Sequence, residues 1–251
     1  MGQETQYLET TLLFWGNVTM NKYMSYIKYF LLVSCIIFAA AGCSTKKARK
    51  LEDMGHAELL EKGLKQLDNG NMATALQSLL LVKDRYPYTE SAVIASLKLA
   101  DTYFGMGEYP TAHDLYAEFE RFHPDNENIP YVKFQRGMCF FKQMRGFDRE
   151  QKYALGASIE FVKLINEYPD HEYSIKARRY YRECLLNRAK FEIFTGNFYY
   201  NQKKYLAAFQ RYNYAIENFP DVGQYHEALE KIHLCKIKMA ELNIEPLTAG
   251  Q

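Results

Sequence analysis

Four times along this chain an amphipathic stretch closes on an aromatic or imidazole side chain followed by proline. The endings are DRYP at Pro87, RFHP at Pro124, NEYP at Pro169 and ENFP at Pro220, spaced 37, 45 and 51 residues apart. Proline lacks the amide hydrogen and its ring clashes with the preceding turn, so each one stops a helix and opens a new turn. Twelve residues before each proline stands an alanine: Ala75, Ala112, Ala157 and Ala208. Eight before it stands a large residue, Leu79, Tyr116, Phe161 or Tyr212, and five before it an apolar one, Val82, Phe119, Leu164 or Ala215. Twenty-four before it, three of the four frames carry a small residue, Gly63, Ala100 and Gly196. The third frame keeps Gly137 too, displaced by eight residues because RGFDREQK lies between its helices. Four coincident frames leave little choice of architecture: the chain must stack pairs of helices.

This pattern resembles the tetratricopeptide repeat, with its period of about 34 residues and small residues where two antiparallel helices touch. The expected fold is therefore all-α, a right-handed superhelix of about five helix-turn-helix repeats over residues 55–242. A helix pair cannot bury its apolar face alone, so neighbours stack on one another. In such repeats the first helix of each pair lines the concave side. By frame, its outward positions are Leu60, Leu64, Leu97, Asp101, Phe104, Phe134, Met138 and Phe141. These would make an apolar groove for an extended or helical peptide; each could equally pack against the next repeat, and the frame alone leaves that open. Tyr173 to Gln202 contains no proline and one glycine. As a single helix it would be about 45 Å long at 1.5 Å per residue, but one helix and two both fit. GQYHEALEKIHLCKIKMAELN, after Pro220, supplies one more helix, the first half of a fifth repeat, and residues 243–251 read as a flexible tail.

The N-terminal stretch is of another kind. Tyr29 to Ala41 (YFLLVSCIIFAAA) is thirteen residues without a charge, too short for a membrane span of about 20 residues. It fits the apolar core of a secretory signal, with Lys22 and Lys28 before it as the positive segment. Residues 1–42 read as a signal peptide, within which 1–19 fit no part of the signal and read as an over-extended start ahead of Met20 or Met24. Its end, Ala40-Ala41-Gly42-Cys43, resembles the lipobox of bacterial lipoproteins, with Ala where the first position is usually Leu. That resemblance implies cleavage before Cys43 and acylation of Cys43, the covalent lipid being the only attached group expected. One acyl chain holds a protein on a bilayer only marginally, whereas two or three hold it stably. Ser44 rather than Asp follows, which implies the periplasmic leaflet of the outer membrane. Residues 43–54, with the basic run STKKARKLEDM, read as a short tether.

The third and fourth frames carry more than the generic repeat. FDREQKYALGASIEFVKLINEYPDHEYSIKARRY and NRAKFEIFTGNFYYNQKKYLAAFQRYNYAIENFP resemble the BamD/ComL family of outer-membrane lipoproteins. The resemblance rests on Asp148-Arg149, Tyr168-Pro169, Tyr173, Ala177, Arg188-Ala189-Lys190, Glu192, Phe198-Tyr199, Tyr205, Ala207-Ala208, Arg211 and Phe219-Pro220. It runs from about Ala57 to Leu242. It departs at Arg188-Ala189, where the family usually has Leu-Ala, and at Thr195-Gly196, where Val-Ala is usual. What it implies is a non-enzymatic component of the β-barrel assembly machinery. The C-terminal repeats would bind the POTRA domains of BamA, with Arg188 and Arg211 on that side. The N-terminal groove would receive unfolded outer-membrane proteins or another lipoprotein of the machinery. Arg211 follows AAFQ on a helix rich in Tyr, Phe and Ala, so its guanidinium needs a carboxylate. That carboxylate is either a partner's or an intrachain Glu192 or Glu217. In the first case Arg211→Ala would weaken BamA capture and leave the thermal midpoint nearly unchanged.

Other chemistries are not written in the chain. Thirty-one Lys and Arg against 30 Asp and Glu leave no electrostatic footprint for nucleic acid. No GxSxG, Walker A, HExxH or GxGxxG motif occurs. His226 and His233 lack a third ligand, so no metal site is expected. Cys139, Cys184 and Cys235 sit in apolar helical patterns and read as small buried hydrophobes.

Overall fold

The aromatic-proline endings fix backbone as well as pattern. Tyr86, His123, Tyr168 and Phe219 each sit just past the last helical turn, with φ between −129° and −137° and ψ between 48° and 61°. The ring of the following proline excludes the α region from the residue before it, so the helix cannot continue. Each of these residues donates its N–H to the carbonyl four back, on Val82, Phe119, Leu164 and Ala215 respectively.

A computed structural model of the chain describes residues 50–220 and 222–244. Within them lie nine α-helices: α1 His56–Asp68, α2 Met72–Arg85, α3 Glu90–Gly105, α4 Tyr109–Phe122, α5 Ile129–Phe141, α6 Lys152–Glu167, α7 Glu172–Asn201, α8 Tyr205–Asn218 and α9 Tyr225–Glu241. Consecutive helices pack against each other, and the first helices of neighbouring pairs also touch, α1 on α3 and α5 on α7. The fold is the all-α tetratricopeptide superhelix: four helix pairs and the first helix of a fifth. Tyr173 to Asn201 lie in one helix, since α7 runs unbroken for 30 residues, and Gln202 caps it. Residues 142–151, most of them from RGFDREQK, connect α5 and α6, and Asn187 of α7 donates to the Arg145 carbonyl at 2.9 Å.

The signal peptide, Cys43 and the tail beyond Ile244 lie outside the described residues. The tether ends sooner than Met54. Leu51–Asp53 form a turn of 3-10 helix, Leu51 packs on the first core cluster and Met54 is buried in it. The reason is local: Arg85 donates to the Glu52 carbonyl at 2.9 Å and the Tyr86 hydroxyl to the Met54 carbonyl at 3.2 Å.

Each repeat is keyed by two positions, eight and 23 residues before its proline, the second moved to 31 in the third repeat by the eight-residue insertion. The Tyr116 hydroxyl donates to Asp101 at 2.8 Å, and the Tyr212 hydroxyl to Asn197 at 2.7 Å. Where the first key lacks a hydroxyl, its counterpart is apolar. Phe161 shares a cluster with Met138, and Leu64 packs against the cluster that contains Leu79. A buried hydroxyl needs an acceptor and a buried ring does not, so the two helices of a pair match. Gly196 makes room for this arrangement: a Cβ there would stand 2.5 Å from the Tyr212 ring.

The turn inside the pair is equally regular. Gly70 and Gly107, each seventeen before its proline, have φ of 76° and 82°. The fourth repeat puts Lys203 at the same place, with φ of 61°. A left-handed conformation strains any residue with a Cβ. Lys203→Gly should therefore raise stability by about 0.5–1 kcal/mol, read as a higher urea midpoint at unchanged slope. A lower midpoint would mean that the lysine side chain contributes more than its backbone loses.

Candidate functional site

The residues predicted to line a groove divide. Leu60 and Met138 are buried in core clusters, so at these two the structure takes the packing alternative. Leu64 and Leu97 are half-buried against the first and second clusters. Phe104 joins the second and fourth clusters, and Phe134 and Phe141 join the fourth. Phe134 and Phe141 belong to a ring of aromatics around Phe161 and Tyr180, with centroids 4.9 to 6.4 Å apart. Asp101 is committed within the chain as well. Its Oδ1 accepts from Tyr116 and, at 2.7 Å, from Tyr131, while Gln135 donates to the Tyr131 oxygen. Burial, with the Asp101 charge second, pushes both phenols far above their ordinary range, so they remain hydrogen-bond donors at any physiological pH.

Both arginines expected on the partner side have partners in the chain. Arg211 on α8 donates to Glu192 on α7 at 3.1 Å, with 44% of its own side chain exposed and 12% of the glutamate's. The Arg188 guanidinium lies 5.0 Å from the centre of the Phe219 ring. The near-unchanged thermal midpoint expected for Arg211→Ala is corrected accordingly. Removing the guanidinium strands a mostly buried carboxylate, and after allowing for solvent screening about 1–2 kcal/mol should be lost. Circular-dichroism melts of Arg211→Ala and of the Glu192→Gln/Arg211→Ala pair read this. The double variant should recover part of the loss, and equal melts for both would argue against the coupling.

Two features escaped the sequence reading. The first is a network of charges across α4, α5 and α6. Lys133 contacts Glu120 at 2.5 Å and Glu167 at 2.9 Å. Arg136 contacts Glu120 and, at 3.2 Å, Glu160, which Lys163 also meets at 3.3 Å. Lys133 and Glu160 are each only 9% exposed. The available signal was two cations three residues apart inside the largely apolar YVKFQRGMCFF. The second is a groove of about 540 Å³ between the second helices of the first two repeats, lined by Lys83, Pro87, Tyr88, Leu115, Glu118 and Phe122 among others.

Cys139, Cys184 and Cys235 are buried and free, and burial pushes their thiols up to about 12, 12 and 11. They are inert, as apolar packing requires. No cluster of metal-ligating side chains occurs among the described residues, where His226 and His233 are exposed. No described helix is long and apolar enough to cross a membrane.

Comparison with known proteins places this architecture. Residues 52–243, nearly the whole folded unit, match the family described as outer membrane lipoprotein, YfiO. The chain belongs to the YfiO family. This YfiO-family protein is 24% identical over 199 residues to the outer membrane protein assembly factor BamD of Vibrio cholerae, covering 75% of this chain and 82% of that one. It is 22% identical over 230 residues to the BamD of a Neisseria meningitidis serogroup A strain, covering 86% of each. The family is one of assembly factors, not enzymes. Among solved structures, a tetratricopeptide repeat protein from Parabacteroides merdae aligns over 76% of this chain and 80% of its own, with 14% identity and a TM-score of 0.40.

Proposed function

We propose that this protein is a lipid-anchored component of the outer-membrane β-barrel assembly machinery. It is held at the periplasmic face by acylated Cys43, scaffolds the POTRA domains of BamA and receives unfolded outer-membrane proteins. The observation that carries this reading is the extent of the family match, which spans every repeat from residue 52 to 243 behind a lipobox-like Ala40-Ala41-Gly42-Cys43.

The end of the superhelix supports the BamA side. Helix α9 is the first helix of a fifth repeat with no second helix among the described residues, and Tyr225, Leu229 and Ile237 are exposed along it. A solenoid end that leaves apolar side chains uncovered suits a protein partner. Arg211, nearly half exposed while paired to Glu192, can offer its remaining donors to a carboxylate on that partner. The N-terminal repeats retain half-buried Leu64, Leu97 and Phe104 for an extended apolar peptide.

The test is affinity capture of the tagged chain from detergent-solubilised envelopes, with co-purifying proteins identified by mass spectrometry. A β-barrel protein with POTRA domains, recovered in near-equal amount with further assembly lipoproteins, is the expected result. Recovery of peptidoglycan-synthesis enzymes or pilus components instead would overturn it.

A further inference from the structure

Tyr88 is fully exposed, and Phe122 is 61% exposed. Both rim the groove between the second helices of the first two repeats, together with Pro87 and Leu115. Nothing in the fold accounts for two aromatic rings left in water at one edge. Isolated exposed hydrophobes are ordinary, but two rimming one apolar groove mark a contact surface.

The path of the chain says what lies opposite. The folded unit begins at Leu51, and its first residues are clamped to the end of α2 that leads into Pro87 and Tyr88. Arg85 holds the Glu52 carbonyl at 2.9 Å and Tyr86 the Met54 carbonyl at 3.2 Å. Between Leu51 and Cys43 stand only Ser44 to Lys50, which span at most about 25 Å when extended. Four of those seven residues are basic: Lys46, Lys47, Arg49 and Lys50. The chain thus enters the folded unit at the end of α2 that leads into Tyr88.

We propose that this edge lies on the bilayer surface, with the Tyr88 and Phe122 rings seated among the headgroups. Tyrosine suits that depth because its ring can leave water while its hydroxyl stays in it. Phe122 carries a cation with it: the Arg121 guanidinium lies 4.7 Å from its ring centre, where a lipid phosphate can be met. The aromatic contact adds a second, orienting attachment to the acyl anchor and holds the first two repeats at a fixed attitude to the membrane. This inference rests on the lipid-anchor reading of Cys43.

The chain from Cys43 onward contains no tryptophan, the single one being Trp15, so an introduced indole reports alone. Tyr88→Trp, Phe122→Trp and, as a control on α8, Tyr214→Trp would each be made in that chain. Because the other three thiols are buried, Cys43 can be coupled to maleimide lipid in vesicles of phosphatidylethanolamine and phosphatidylglycerol. On vesicles carrying brominated acyl chains, the indoles at positions 88 and 122 should blue-shift and lose most of their emission, while that at 214 stays unchanged. Unshifted emission at 88 and 122, or equal quenching at all three, would overturn the proposal. The anchor reading is tested separately by the intact mass of the protein taken from envelopes. A mass without acyl chains would remove the anchor and leave the vesicle result to stand or fall alone.

Discussion

Phe161→Ala should lower stability by about 3–5 kcal/mol, the usual range for emptying a fully buried aromatic site. Phe161 is wholly buried on α6. Its ring meets Phe134 and Phe141 of α5 at 6.0 and 6.4 Å and stacks on Tyr180 of α7 at 5.9 Å. The ring also fills the space left by Gly137, where a Cβ would stand 2.4 Å from it. Alanine therefore leaves a void walled by rigid rings and a glycine, which cannot collapse to fill it. In a solenoid each repeat contacts only its neighbours, so the damage should stay local. Hydrogen exchange should show amides of α5, α6 and the first half of α7 losing protection, with α1 and α2 little changed. A loss under about 1 kcal/mol would mean that the core relaxes in a way this packing does not permit.

Arg136→Met should cost about 2–3 kcal/mol at neutral pH. The substitution keeps most of the stem and removes the guanidinium that joins Glu120 of α4 to Glu160 of α6. Both carboxylates keep a lysine, Lys133 or Lys163, which is why the loss stays below that of a fully orphaned buried charge. The pH dependence separates this cause from simple repacking. Burial alone would raise the Glu120 carboxyl, but hydrogen bonds and charge from Lys133 and Arg136 outweigh it and hold the group below its ordinary range. A depressed folded value contributes stability that is complete above the unfolded value, about pH 4.3, and is lost as pH falls through the folded value. Without Arg136 that contribution shrinks, so the gap between variant and wild type should narrow in thermal melts taken below about pH 4. A gap constant with pH would point to lost packing instead.

Repeat boundaries were legible because they are dictated by local chemistry. Proline at positions 87, 124, 169 and 220 fixes the conformation of the residue before it, whatever the rest of the chain does. The small residue facing a large one, Gly196 under Tyr212, follows from the distance between two helix axes. The role of individual apolar positions was not legible. Leu60 and Met138 have the same frame as Leu64 and Phe134, and only the angle between neighbouring repeats decides which of them a neighbour covers. Lys133 and Arg136 went unread for a related reason: their counter-charges lie 13 to 34 residues away in sequence, and nothing beside them names those partners. Arg211 lay between these cases, since its need for a carboxylate was readable and the choice of Glu192 was not.

The keyed pairs have a consequence for how such a chain can be rebuilt. Asp101 suits Tyr116 and Met138 suits Phe161, but an exchange of α3 for α5 alone would set an aspartate over a phenyl ring and a methionine over a phenol. Two mismatches would arise from one transplant: Asp101 would keep only Lys98 of its own helix, and the buried Tyr116 hydroxyl would lose its acceptor. Moving both helices of a repeat together carries lock and key in one piece. The heritable module of this superhelix is therefore the hairpin, and recombination that cuts at the prolines preserves it while recombination inside the hairpin does not.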